Sequence, residues 1–191
     1  MDTLRDILIN KIGLKEVHFL QLNKLLKKVQ LKKKDHLIKA GETCSFLGFV
    51  QDGVLRSYIQ KDVDEFNVDF YLPNCFVSSY TSFLTQTPTK GYIQALSDAT
   101  IYSISHADYT DLLKFSSDWY LLGKYIADTL FIKKCIRETS LLTDSATDRY
   151  RLLLNTYPQI EQQVAQYHIA TYLGIKPESL SRIKALTYIN K

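Results

Sequence analysis

Proline and glycine are scarce in this 191-residue chain, at 4 and 7 positions. With 46% hydrophobic residues, that scarcity excludes collagen-like repeats, low-complexity linkers and a disordered chain. Cysteine is scarcer still. Cys44, Cys75 and Cys135 are odd in number, widely spaced and without a Cys-x-x-Cys pair. They exclude a disulfide framework or zinc knuckle and point to free thiols in a reducing compartment. His18, His36, His106 and His168 are scattered, with no His-x-His or His-Glu-x-x-His pair. Metal-dependent jelly-roll enzymes gather histidines on adjacent strands, so such chemistry is not expected here. A glycine-rich phosphate loop and a Gly-x-Ser-x-Gly elbow are both missing. Ser78 and Ser79 lack the positioned base a nucleophile needs. No catalytic residue is therefore assigned, and no metal or cofactor is called for. No apolar run approaches the ~20 residues of a membrane span. The opening stretch MDTLRDILINKIG is too polar for a signal peptide. The expectation is a cytoplasmic protein that is not an enzyme and has no membrane contact.

Aromatic residues are plentiful: 13 Tyr and 9 Phe. They suit pleated, half-buried surfaces and favour a β-rich region. The net charge is +4. From Thr147 onward six cations face only three anions, so most of the positive charge lies in the last quarter of the chain. A basic terminal module suggests a polyanionic partner.

The residues from Leu4 to about Leu31 follow helical faces, split near Gly13. The run KKVQLKKK (Lys27 to Lys34) reads as a solvated helix end and turn, with an anion-binding patch as the alternative. From about His36 the rhythm changes to short apolar and aromatic stretches bounded by turn residues. Strands at this spacing predict an all-β sandwich or jelly roll over residues 36–106. Asp52-Gly53 reads as a hairpin turn. The acidic stretch DVDEFNVD (Asp62 to Asp69) superficially resembles a calcium loop. It lacks glycine at position six and glutamate at twelve, so it reads as a solvated β-turn.

After His106 the pattern is helical. Trp119, Leu122, Ile126, Thr129, Lys133 and Ile136 recur at alternating spacings of three and four. That is the seam of a coiled-coil dimer helix, with a helix packed on its own β domain as the alternative. A further helix is expected over residues 145–155, stopping before Pro158.

The stretch HIATYLGIKPESLSRI (His168 to Ile183) predicts two short helices split by a glycine. Ala170 is small where helices cross closely. Gly174 sits where a positive φ is needed, and Pro177 suits a first helical position. Leu180, Ile183 and Thr187 share one face. This is the pattern of a helix-turn-helix. At about 100° per residue, Glu178, Ser181, Arg182 and Ala185 point the other way. Arginine can pair bidentately with a guanine edge, and glutamate can accept from cytosine. Ser179 lies in the first turn, where a hydroxyl and free N–H groups can meet phosphate. Lys176 and Lys184 are expected to flank this face as phosphate contacts. A surface Glu–Arg pair without function is the plainer alternative.

On these residues the chain resembles the Crp/Fnr family of bacterial transcription regulators. HLIKAGE (His36 to Glu42) and FVQDGVLRSY (Phe49 to Tyr58) look like the family's turn glycines and flanking strands. IATYLGIKPESLSRI looks like its DNA-reading motif, with Glu178 and Arg182 at base-contacting positions and Ser179 at a phosphate-contacting one. Pro177 stands where the best-known member has a base-reading arginine, so its operator does not carry over. The resemblance implies an α+β chain in three parts. A cyclic-nucleotide-binding-like β roll would occupy residues 1–115, a dimerisation helix 116–142 and the helix-turn-helix 143–191. The implied partners are double-stranded DNA, a second copy of the chain and RNA polymerase, with a small-molecule effector of unassigned identity. Members that bind cyclic AMP carry Gly-Glu and, a loop later, Arg-Ser or Arg-Thr. Here Ser78 and Ser79 stand at the first pair and Thr89 and Lys90 at the second, so cyclic-AMP binding is expected to be absent or weak. A wing would have to lie near residues 160–167, because so little sequence follows the second helix. The alternative function is a small-molecule or anion sensor that acts through protein contacts without binding DNA.

Overall fold

The computed structural model describes residues 1–189. Helix α1 (Asp2–Asp6) passes through a π-helical turn (Ile7–Lys11) towards α2 (Glu16–Leu25). Strands β1 (Lys27–Leu31), β2 (His36–Ile38), β3 (Phe46–Asp52), β4 (Leu55–Lys61), β5 (Asp64–Tyr71) and β6 (Phe76–Val77) follow. Helix α3 (Tyr80–Thr85) precedes β7 (Gly91–Ala95) and β8 (Ala99–Ser105). The rest is helical. It comprises α4 (His106–Phe115), a 3₁₀ turn (Ser117–Trp119), α5 (Tyr120–Thr143), α6 (Ala146–Thr156), α7 (Ile160–Gln163), α8 (Gln166–Leu173) and α9 (Pro177–Ile189).

The strands form two four-stranded sheets, ordered β1-β8-β3-β6 and β2-β7-β4-β5. This is the β roll expected from the sequence, with one strand more at its start. Lys27–Leu31, read as a helix end, is an edge strand antiparallel to β8, with Val29 opposite Ile101 and Leu31 opposite Ala99. The backbone turns extended at Leu26. From there Val29 and Leu31 alternate with the exposed Lys28 and Gln30. Lysines on an outer strand also discourage further pairing.

Asp52-Gly53 does not close a hairpin. Strands β3 and β4 belong to different sheets, and this turn carries the chain from one to the other. Gly53 has φ +85°, and a Cβ there would stand 2.4 Å from the carbonyl oxygen of Asp98. Only glycine fits that corner.

The chain divides into two compact units. One joins Met1–Ser57 to Phe70–Leu130; the other joins Tyr58–Asp69 to the chain from Phe131 onward. In the first, one buried cluster gathers Leu4, Leu8 and Leu22 with Phe49, Ile101, Leu55, Ile93, Trp119, Leu122 and Ile126. Burying each large side chain is worth about 1.5–3 kcal/mol. In the second, Tyr150, Leu153, Ile160, Ile169, Leu173 and Leu180 are buried. Ser145 caps α6 by accepting from the Asp148 N–H, a contact worth about 1 kcal/mol. Residues 160–167 form α7 and the start of α8, so the expected wing is absent there.

Candidate functional site

Helices α8 and α9 form the expected pair. Gly174 ends α8 in the left-handed region at φ +67°. The Ile175 N–H bonds back to the Ala170 carbonyl at 3.0 Å, which satisfies a carbonyl that the helix end leaves open. Ala170 is fully buried, as are Leu180 and, nearly, Ile183. The side chain of Thr187 lies outside the described residues. Lys176, Glu178, Ser181 and Arg182 are exposed, and Ser179 is half-buried. The Ser179 N–H is held by the Lys176 carbonyl at 3.0 Å, leaving its hydroxyl as the group that can meet a phosphate. Glu178 and Arg182 are one turn apart on the same exposed stripe.

Lys184 does not stand beside that stripe. Its Nζ lies 2.6 Å from Glu161 Oε1, with both side chains about four-fifths buried, and Tyr150 also donates to Glu161 at 2.7 Å. The reason is angular: four residues after Leu180, Lys184 lies only about 40° from it and so faces inward. The expected phosphate contact is corrected to a brace between α9 and α7. Lys184→Ala should lower the stability of this unit by about 1–2 kcal/mol, read by urea unfolding.

The seam expected along α5 is also corrected. Trp119, Leu122 and Ile126 are at most 3% exposed in the core of their own unit, so they have no surface to offer a second chain. Lys133 is turned inward within the second unit, 2.6 Å from Asp69 Oδ1 and over the Tyr157 ring. Thr129 is exposed but donates to the Tyr125 carbonyl. Ile136 alone of the six is an exposed hydrophobic residue. The exposed apolar stripe lies about 100° further round, with Phe131 70%, Ile132 57%, Ile136 50% and Leu142 80% exposed and Cys135 among them. A three-four spacing fits two adjacent registers of one helix. The sequence alone did not say which faced the protein's own core.

The ligand positions come together as hydroxyls bonded to each other and to backbone. Ser78 is buried and donates to the Phe46 carbonyl at 3.0 Å. Ser79 donates to Thr89 Oγ1 at 2.8 Å, which also accepts from the Gly91 N–H at 3.1 Å. Lys90 is exposed. Neither a carboxylate for ribose hydroxyls nor a guanidinium for a cyclic phosphate stands at these four positions. Cyclic AMP at 1 mM should shift the thermal midpoint by less than about 1 °C. Differential scanning fluorimetry would show a larger shift if these positions bind it.

Sequence reasoning missed a polar cluster in the second unit. Asn67 and Asp69, read as part of a solvated turn, are buried; the turn itself is confined to Asp62 and Val63. Asn67 Nδ2 donates to Thr171 Oγ1 at 2.6 Å and to the His168 carbonyl at 3.1 Å, with His168 Nδ1 at 3.3 Å. Tyr157 donates its hydroxyl to Asp69 at 2.6 Å. Arg137 donates to the carbonyls of Tyr172 at 2.9 Å and Asn67 at 3.3 Å, and its guanidinium stacks over the Tyr172 ring. Burial, and then the Asp69 charge, push the Tyr172 phenol up to about 12. A signal was present: Asn67, Asp69 and Tyr71 alternate along β5, the parity of an inward face.

Residues 28–115 match the family model of the cyclic nucleotide-binding domain. The described chain has the fold of Crp/Fnr regulators. It is similar to the structure of FixK2 from Bradyrhizobium japonicum at 14% identity and a TM-score of 0.76, covering 86% of this chain and 85% of that one. It is similar to the c-di-GMP-responsive global regulator CLP of Xanthomonas campestris at 15% identity and a TM-score of 0.72, covering 92% and 93%. A Crp/Fnr-family transcriptional regulator from Eubacterium rectale aligns at 18% identity and a TM-score of 0.70, covering 93% and 85%. No curated protein matches the sequence. Among the described residues no helix is long and apolar enough to cross a membrane.

Proposed function

We propose that this chain is a sequence-specific DNA-binding transcription regulator of Crp/Fnr type. It works as a cytoplasmic homodimer, is not an enzyme and does not respond to cyclic AMP. One observation carries the reading: α9 buries Leu180 and Ile183 while holding Glu178, Ser181 and Arg182 exposed on its opposite face. Arg182 reads a guanine edge, Glu178 accepts from cytosine or braces Arg182, and Ser179 and Lys176 meet phosphates. The division of labour follows residues 1–115 for sensing, 116–142 for dimerisation and 143–191 for DNA.

The second copy covers the apolar stripe of Phe131, Ile132, Cys135, Ile136 and Leu142. Helix α5 has 24 residues, about 36 Å of rise, which is long enough for a coiled-coil contact. A two-fold dimer would present two α9 helices to successive major grooves about 34 Å apart. The operator is then a near-palindrome, and RNA polymerase is the partner at the promoter. The absent carboxylate and guanidinium support a sensor part that answers to another small molecule or serves as scaffold.

A photo-crosslinking residue at Ser181 tests the reading. It should attach to bases of duplex DNA under moderate salt. Attachment to protein partners and never to DNA would favour the sensor that acts through protein contacts.

A further inference from the structure

On the DNA-binding reading of α8 and α9, we propose that Asn67 and Asp69, with Arg137, are positioning residues that set the half-site spacing the protein accepts. The tip of the β4–β5 hairpin, Tyr58–Asp69, is part of the same compact unit as the C-terminal helices. Its contribution is directional. The Asn67 amide points both its hydrogens at α8, to the Thr171 hydroxyl and the His168 carbonyl. Arg137 reaches from α5 to the last turn of α8 by donating to the Tyr172 carbonyl and ties β5 into the same cluster by donating to the Asn67 carbonyl. Asp69 receives Lys133 from α5 and Tyr157 from the end of α6. Three separate elements thus converge on two residues of one strand.

These bonds fix how α8 is rotated about α5. Helix α9 follows α8 through the Gly174 turn, where the Ile175 N–H is tied to the Ala170 carbonyl. If two copies join along α5, the angle of α8 on α5 decides how far apart, and in which phase, the two α9 helices lie. Asn67 and Asp69 lie on the inward side of α8, whereas Glu178, Ser181 and Arg182 are exposed on α9. They act on DNA through α8, by pre-organisation. Buried polar groups held by directional bonds suit this role, because a changed orientation leaves a donor or acceptor unpaired.

The test compares Asn67→Leu and Asp69→Asn with the wild type on operators whose half-sites are moved apart by two base pairs. The wild type should prefer its own spacing at least tenfold. Each variant should prefer it less than about threefold. Affinity for an isolated half-site and the slope of binding against salt should stay within about twofold of wild type. A purely structural role would lower every affinity together. Asp69→Asn keeps the side-chain shape and the acceptor for Tyr157, and urea unfolding followed by far-ultraviolet circular dichroism reports whether the helical second unit that holds both residues is folded. Should Asn67→Leu fail that check, Asp69→Asn is read alone. Retained spacing preference in a folded variant overturns the proposal. If instead the wild type selects no operator at all, the DNA-binding reading fails, and that result is separate.

Discussion

Ile132→Asp is expected to leave the chain monomeric and to weaken binding to a two-half-site operator by more than about 100-fold. Ile132 is a large aliphatic side chain left more than half exposed, with Phe131, Ile136 and Leu142 beside it. A soluble protein rarely leaves such a stripe open unless a partner covers it. Placed against its symmetry mate, a carboxylate at this position would meet its own copy in an apolar seam. Neither charge would have a partner, and the desolvation cost would oppose association. Losing the dimer removes the effective concentration that the first bound half gives the second. Single half-site affinity should barely change. Sedimentation velocity reads the mass, and fluorescence anisotropy on full and half operators reads the binding. Trp119→Ala is a poor probe of the same question, because Trp119 lies in the core and its loss would unfold the first unit. An Ile132→Asp protein that remains dimeric would remove α5 from the interface.

Arg182→Ala is expected to cost about 1–3 kcal/mol of operator affinity, roughly 5- to 150-fold, and to relax preference at one base position in each half-site. Arg182 is exposed on the face opposite Leu180, one turn beyond the exposed Glu178. A guanidinium supplies two parallel donors to a guanine edge, so its loss discriminates among bases rather than only lowering attraction. The contrast with Lys184 sharpens the expectation. Two cations two residues apart on one helix should behave differently: the exposed one through sequence preference, the one paired with Glu161 through stability. Binding isotherms on operators permuted at every position would separate them. Uniform weakening across all sequences would make Arg182 a phosphate contact.

The β roll and the terminal helices were legible because their signals are local. Alternating apolar residues give strands, and Gly174, Pro177 and the Leu180–Ile183 spacing bound the helix pair. The lysine-rich strand Lys27–Leu31 was hidden because its composition suits a helix end, and only pairing with β8 makes it a strand. On α5 the expected seam and the exposed apolar stripe stand side by side, since a helix buried on one side by Trp119, Leu122 and Ile126 carries two apolar stripes. The inward turn of Lys184 could be computed from its angle to Leu180, but charge made it look like surface. The alternation of Asn67 and Asp69 marked an inward face, but not what they meet there. Their partners His168, Thr171 and Tyr157 lie about 90–100 positions away, and no short-range pattern encodes such contacts. In the expected ligand region the bond between Ser79 and Thr89 required the folded backbone.

The central claim is that α9 reads base edges of duplex DNA in pairs. Selection of purified, full-length protein against a pool of random duplexes at moderate salt tests it most directly. The account predicts enrichment of a near-palindrome with half-site centres about 10 base pairs apart, and loss of information at one position per half-site when Arg182→Ala is selected alongside. A pool that shows no enriched sequence after repeated rounds, from protein that is folded and dimeric, would contradict it.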